Sequence, residues 1–226
     1  MPTRIVLYAE GPGEDRGEDP WLPEPGELLQ QELLGAAHHL VARLIEQDHG
    51  IPRAAVGFIS PLRVGPRLHR GSDLLNKRTL RRLLTFASPA RRPQLAVVLV
   101  DEDGQEKRKR DLEEWTADLD LPRIIGVAVR EFESWLIADQ KALVDVLEVK
   151  DTPPGPESMP PGEAKRLVQG WIAKVLASIT GQGARGARIQ QLRVELIQRS
   201  SLAALDGLAA FRAFRGDLRR AMSTIP

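Results

Sequence analysis

The apolar positions fall into short unbroken runs separated by longer stretches with helical spacing. Residues 4–9 (RIVLYA) are apolar and β-branched and end at Glu10-Gly11, which predicts a buried strand. A loop rich in Gly, Pro and acids follows to Pro25. Over 26–48, Leu28, Leu29, Leu33, Leu34, Ala37, Leu40, Val41, Leu44 and Ile45 recur at helical spacing, and Gly50 and Pro52 end the helix. A second strand is expected at 55–60 (AVGFIS), then a basic segment and a helix at about 73–87 capped by Ser72 or Asp73. The run QLAVVLV (94–100) is apolar throughout, as in the middle of a parallel sheet. Asp101-Glu102-Asp103-Gly104 opens onto a charged helix at 105–118. A fourth strand, RIIGVAV (123–129), passes through Arg130-Glu131 into a helix at 132–147 with an apolar face of Phe132, Trp135, Leu136, Leu143 and Leu147. Five prolines between 153 and 161 then break the pattern, and helices are expected at 163–179, 186–199 and about 205–222.

The alternation of strand and helix predicts an α/β fold, a parallel sheet of about four strands flanked by helices over residues 1–150. Residues 151–226 are expected to form a Pro-rich linker and C-terminal helices packing on that domain. Composition narrows the chemistry. The 226 residues include no Cys, which excludes disulfides, thiolate nucleophiles and thiolate-held zinc or iron–sulfur centres. The N-terminus has no basic region and only a short apolar run before acidic residues, so a signal peptide is not expected, and no stretch nears the ~20 apolar residues of a membrane helix. A soluble, cytoplasmic protein without a membrane partner is expected.

The formal charge is only +1, but it is unevenly spread. Residues 1–50 carry ten acids against three bases, 51–100 ten bases against one acid, 101–162 sixteen acids against eight bases, and 163–226 eleven bases against four acids. Two readings fit: cations bound in one place and phosphates in another, or acidic and basic surfaces that face each other.

The acids are placed suggestively. Glu10 ends the first strand, Asp101 and Asp103 the third, and Glu131 the fourth. In a parallel sheet these ends share one edge, the crevice where such folds bind ligands. Oxygen donors of this kind suit Mg²⁺ or Mn²⁺, and Asp101-x-Asp103 would present both carboxylates on one side if the backbone stays extended. With Glu10 and Glu131 alongside, a two-metal phosphoryl-transfer centre is chemically reasonable. The competing reading is structural, because Asp and Glu at strand–helix junctions also cap helices and favour their dipoles.

Glu10-Gly11 after the first strand, with Asp101-x-Asp103-Gly104 after an apolar strand, resembles the TOPRIM fold of topoisomerases, primases and overcoming-lysogenization-defect nucleases. A closer resemblance runs through nearly the whole chain. VAVREFESWLIAD (127–139) is similar to the vavrelEaWlLaD segment of a bacterial family called domain of unknown function 4276. The later Pro-rich loop, the helix opened by Glu163-Ala164-Lys165 and the terminal helix with Phe211 and Phe214 are similar too. The resemblance implies a TOPRIM-like, divalent-metal phosphodiesterase, most simply a nuclease in an anti-phage defence or mobile-element setting, sometimes beside an ATPase. It implies Glu10, Asp101 and Asp103 as metal ligands and Glu131 and Glu133 as a further acidic pair. The loop after Glu10 is longer and more acidic than the family's compact EGxTE, with Glu14 filling the second acidic position.

Such a site needs a base and a phosphate ligand. Glu10 or Glu133 could serve as base, and Arg63, Arg70, Lys77 and Arg81 from the basic block could meet phosphate or nucleic acid. Each of these cations has the alternative of a solvated helix face. Lys107-Arg108-Lys109-Arg110 is read as balancing the acids of its own helix. His38, His39, His49 and His69 have no partner at metal-ligand spacing, and no phosphate loop, GxGxxG or GxSxG is present. Trp21 and Trp135 are read as core. The alternative function is a non-catalytic, metal- or partner-binding subunit of a defence-type complex with an ATPase, and homo-oligomers fit either reading.

Overall fold

The computed structural model describes residues 2–10, 23–63, 71–150, 155–178 and 182–225. Four strands, β1 (Thr3–Ala9), β2 (Val56–Ile59), β3 (Leu95–Asp101) and β4 (Arg123–Ala128), form one parallel sheet in the order β2-β1-β3-β4. Register sets Ala9 beside Leu99 and Asp101 beside Ala128, so the C-terminal ends of β1, β3 and β4 share an edge. The parallel α/β sheet with C-terminal helices expected from the sequence is what forms.

The sheet separates two apolar layers, as the period-2 alternation of strand side chains requires. On one face Val6, Tyr8, Ala96, Val98, Val100 and Ile125 pack on α2 (Lys77–Leu83) and α3 (Arg108–Thr116) through Leu80, Leu83 and Leu112. On the other face, Ile5, Leu7, Leu95, Val97, Leu99 and Ile124 meet α1 (Ala36–His49) and the C-terminal helices. Those helices follow β4 as α4 (Glu133–Leu136), α5 (Gln140–Leu147), α6 (Glu163–Val175), α7 (Gln182–Arg199), α8 (Leu202–Asp206) and α9 (Ala209–Met222). Trp135 of α4 sits 5.3 Å from Phe211 and 5.5 Å from Phe214 of α9, ring centre to ring centre. Gly126 lets α9 approach β4, since a Cβ there would come within 2.6 Å of Phe214 Cδ2 and 2.9 Å of Leu99 Cδ1.

The helices predicted at 26–48, 73–87, 132–147 and about 205–222 form shorter or broken, the second as Lys77–Leu83 and the last as Leu202–Asp206 and Ala209–Met222; for the first and third the reason is local. The leucines at 28 and 29 are not helical. Their segment lies along the edge of β2, with Leu29 N–H donating to Phe58 O (2.8 Å) and Ser60 N–H to Glu27 O (2.7 Å), which satisfies an edge that would otherwise be open. The predicted 132–147 helix splits into α4 and α5 because Asp139 is extended (φ −109°, ψ 107°) and its carboxylate caps the amides of Lys141 and Ala142. The cap of α2 is Asn76, whose side chain accepts from Thr79 N–H, in place of the expected Ser72 or Asp73. Among the described residues no helix is long and apolar enough to cross a membrane.

Candidate functional site

The chain runs from β1 outward to β2, then crosses back over β1 to β3 and on to β4. The order therefore reverses between β1 and β3, the point at which doubly wound sheets open a ligand crevice. Glu10 and Asp101 stand on the two sides of that point. Glu10 N–H donates to Leu99 O (3.0 Å) and Glu10 Oε2 accepts from Asp101 N–H (2.8 Å), so the glutamate side chain reaches across onto the end of β3. Asp101 Oδ1 accepts from Phe132 N–H (2.8 Å), beyond β4. Each carboxylate is thus held through one oxygen, and among the described residues Glu10 Oε1 and Asp101 Oδ2 accept no hydrogen bond.

The electrostatics follow from that geometry. Burial, and after it the neighbouring Glu10, push the Asp101 carboxyl up to about 7; Glu133 and Asp103 add to the rise and the Phe132 amide opposes it. The Glu10 carboxyl is raised by burial and by Asp103, against the Asp101 amide and the charges of Arg108 and Lys165. The pair is an excess of negative charge in a half-dry crevice.

Asp103 departs from the expected geometry. Its backbone is left-handed (φ 47°) and Gly104 continues so (φ 72°), so the chain does not stay extended and the two aspartates do not leave the strand together. Asp103 is about half exposed and pairs with Arg108 (3.0 Å), whose Nη1 also donates to the Asp101 carbonyl. Among the described residues, no group of three or more Asp, Glu or His side chains is gathered closely enough to hold a metal ion. The structure brings together a pair, with Asp103 acting on it through charge.

Glu131 and Glu133 are employed elsewhere. Glu131 is buried, and its Oε1 accepts from Lys165 N–H (2.6 Å) in the first turn of α6, whose own N-cap, Gly162, offers no side chain. It caps that helix from 34 residues away. Burial, and then Glu133 and Asp103, raise its carboxyl, while the Lys165 amide and ammonium oppose the rise. Glu131→Ala should therefore weaken the docking of α6 by about 1 kcal/mol, measured by urea unfolding, with Glu131→Gln recovering most of it because the acceptor is kept. Glu133 is 3% exposed and forms an ion pair with Arg193 of α7, which is 7% exposed.

The basic candidates do not gather at this edge. Arg81 is tied to Asp118 (2.5 Å) and to Trp115 O (2.7 Å). Those partners lie at the far end of α3, about 13 Å of helix away from Arg108. Arg63 donates to Pro23 O (2.9 Å), and Lys77 opens α2 with its side chain exposed. Glu14, Arg70 and Trp21 lie outside the described residues. In the 107–110 run Lys109 reaches Glu113 (3.8 Å) and Arg110 reaches Glu114 (3.7 Å), so the reading as balance for the helix's own acids fits these two; Lys109 also pairs with Asp217 of α9 (2.5 Å), and Arg108 instead clamps the Asp101–Asp103 turn.

Three residues not singled out from sequence reach this edge or its supports: Arg130, Lys165 and Arg193. Arg193 carried a signal, a cation on the apolar stripe Ile189, Leu192, Leu196, Ile197. Lys165 carried none, since its amide meets Glu131 across 34 residues, and Arg130 carried none, since its left-handed backbone (φ 67°) leaves no mark in the local pattern. Comparison with protein-family models, with curated proteins and with solved structures gave no match to this chain.

Proposed function

We propose that the edge formed by Glu10 and Asp101 binds a divalent cation, Mg²⁺ or Mn²⁺, and hydrolyses phosphodiesters, with nucleic acid as the substrate class. The observation that carries this is the carboxylate pair itself, set at the reversal of strand order with one oxygen of each side chain left open and the Asp101 acid driven up to about 7. The donor set fits such an ion: Mg²⁺ is commonly held by one or two carboxylates and completed by water and substrate phosphate, so a pair suffices. Glu10 and Asp101 would hold it, and its chemistry there would be to polarise a phosphoryl oxygen and acidify a bound water. The protein's part is to fix the two carboxylates through the Asp101 and Phe132 amides and to exclude bulk water from their buried sides. The TOPRIM-like resemblance and the defence or mobile-element setting it implies, including an ATPase partner, belong to this reading.

The test is titration calorimetry with Mn²⁺ and Mg²⁺, followed by assays on DNA, RNA and nucleotide substrates. Saturable binding and hydrolysis by the wild type, both lost in folded Glu10→Gln/Asp101→Asn, are expected. A folded wild type that binds no divalent ion at millimolar concentration, with or without an oligonucleotide present, would reject the reading. Binding without turnover on any phosphodiester would leave the alternative of a metal- or partner-binding subunit.

A further inference from the structure

Arg130 is unusual in two independent ways. Its backbone is left-handed (φ 67°) at a residue that is not glycine, a conformation that L side chains hold only under constraint. Its Nε is buried without a hydrogen-bond partner, and among the described residues its guanidinium forms no hydrogen bond or ion pair. Buried donors are almost always matched, and strained backbone gathers at binding sites.

Its position is equally specific. Ala128, two residues before it, pairs in register with Asp101, and Phe132, two residues after it, donates its amide to the Asp101 carboxylate. The segment 128–132 therefore wraps the end of β3, with Arg130 at its middle. The described acids of this edge have partners other than Arg130: Asp103 pairs with Arg108, Glu131 with the Lys165 amide and Glu133 with Arg193, while Glu10 and Asp101 are each held through one oxygen by a backbone amide and leave the other open. None of the described acids takes this guanidinium, which leaves it for an anion that the described residues do not supply.

We infer that Arg130 is the phosphate anchor of this edge, its planar fork taking two non-bridging oxygens of a phosphate group that lies against Glu10 and Asp101. The inference rests on the proposed function for the identity of the anion and goes beyond it in naming the residue that holds it. The basic block 51–100, where phosphate contacts were expected, is then not the first point of contact. Arg130 acts by binding and orientation, with no proton transfer assigned to it.

The experiment is inorganic phosphate binding to the full chain, followed by ³¹P NMR with and without Mg²⁺ and without turnover, for wild type, Arg130→Gly and Arg130→Asn. Glycine adopts a φ of 67° freely and asparagine tolerates it, so both variants should fold. The expected result is saturable binding by the wild type, weakened at least about tenfold in both variants, as loss of a charge-assisted hydrogen-bonding pair implies. Arg130→Gly should at the same time melt about 2–4 °C higher, because strain and a buried unmatched donor are both removed. Wild-type phosphate affinity in either variant, or no phosphate binding by the wild type in either condition, overturns the assignment. A lower melting temperature in Arg130→Gly with phosphate affinity unchanged would make this a structural arginine. Phosphate binding that depends on Arg130 in a protein that cleaves no phosphodiester would sustain the anchor and reject the hydrolase, so the two failures are separable.

Discussion

Asp101→Asn is expected to raise the melting temperature of the metal-free protein at pH 8 and to leave it unchanged at pH 4. Burial first, and Glu10 second, lift the Asp101 carboxyl from its usual 3.8 to about 7, so the folded chain binds this proton more tightly than the unfolded chain does. Stability from that proton is complete below about pH 4 and drains away as pH rises to about 7. Above pH 7 the folded protein carries the full penalty, which approaches about 4 kcal/mol if Asp101 bears the shift alone and is smaller because Glu10 shares it. Asparagine keeps an oxygen for the Phe132 amide and removes only the charge. At about 2–4 °C per kcal/mol for a chain of this size, the gain at pH 8 is several degrees. Thermal melts from pH 4 to 8 in EDTA check it; a variant less stable at pH 8 would mean that the wild-type carboxylate is already compensated by the protein. Added Mn²⁺ should then stabilise the wild type and not the variant, since only a ligand bound to the folded state shifts its melting point.

The same pair shows what the sequence makes legible. The four strands were readable to within about two residues because both faces of β1 and β3 are buried and each is written as an unbroken apolar run. The acids at their ends were readable for the same reason: a run that stops at Glu10 or Asp101 marks where the chain leaves the sheet. That Glu10 touches Asp101 depends on β1 lying beside β3, which the strand order decides and no local pattern records.

Other parts stayed hidden for identifiable reasons. Leu28 and Leu29 keep helical spacing with the true helix that starts at Ala36, yet Gly35 is extended (φ −89°, ψ −178°) and the edge of β2 offers backbone partners that a helix there would forgo. The left-handed turn at Asp103 is set by Gly104 and by the two-point grip of Arg108, a tertiary event packed into the eight residues 101–108. Glu131 and Glu133 look alike in sequence, two acids flanking Phe132, and both could as well have been ligands. Their partners lie 34 and 60 residues away, beyond the reach of any local reading.

Breaking the Glu133–Arg193 pair should have the largest effect of any single change proposed for this edge. Both groups are nearly sealed from water, so removing one strands the other charge: Glu133→Gln or Arg193→Met alone is expected to lower unfolding stability by about 3–5 kcal/mol. The joint replacement Glu133→Leu/Arg193→Met strands nothing, adds apolar contact beside Trp135 and Leu192, and should recover most of the loss, as read from urea unfolding of all three variants. This cycle also separates the two roles open to Glu133. A structural pair predicts that the joint variant regains divalent-ion binding and hydrolysis along with its stability. A catalytic base predicts a stable protein that binds the ion and turns nothing over. There is a quieter signature as well: Glu133 is one of the like charges that raise Asp101, so its removal should move the pH midpoint of the Asp101 transition downward. A midpoint that stays put in a folded joint variant would show that the carboxylate pair is governed by burial and Glu10 alone, and that α7 supports the edge through packing without tuning its charge.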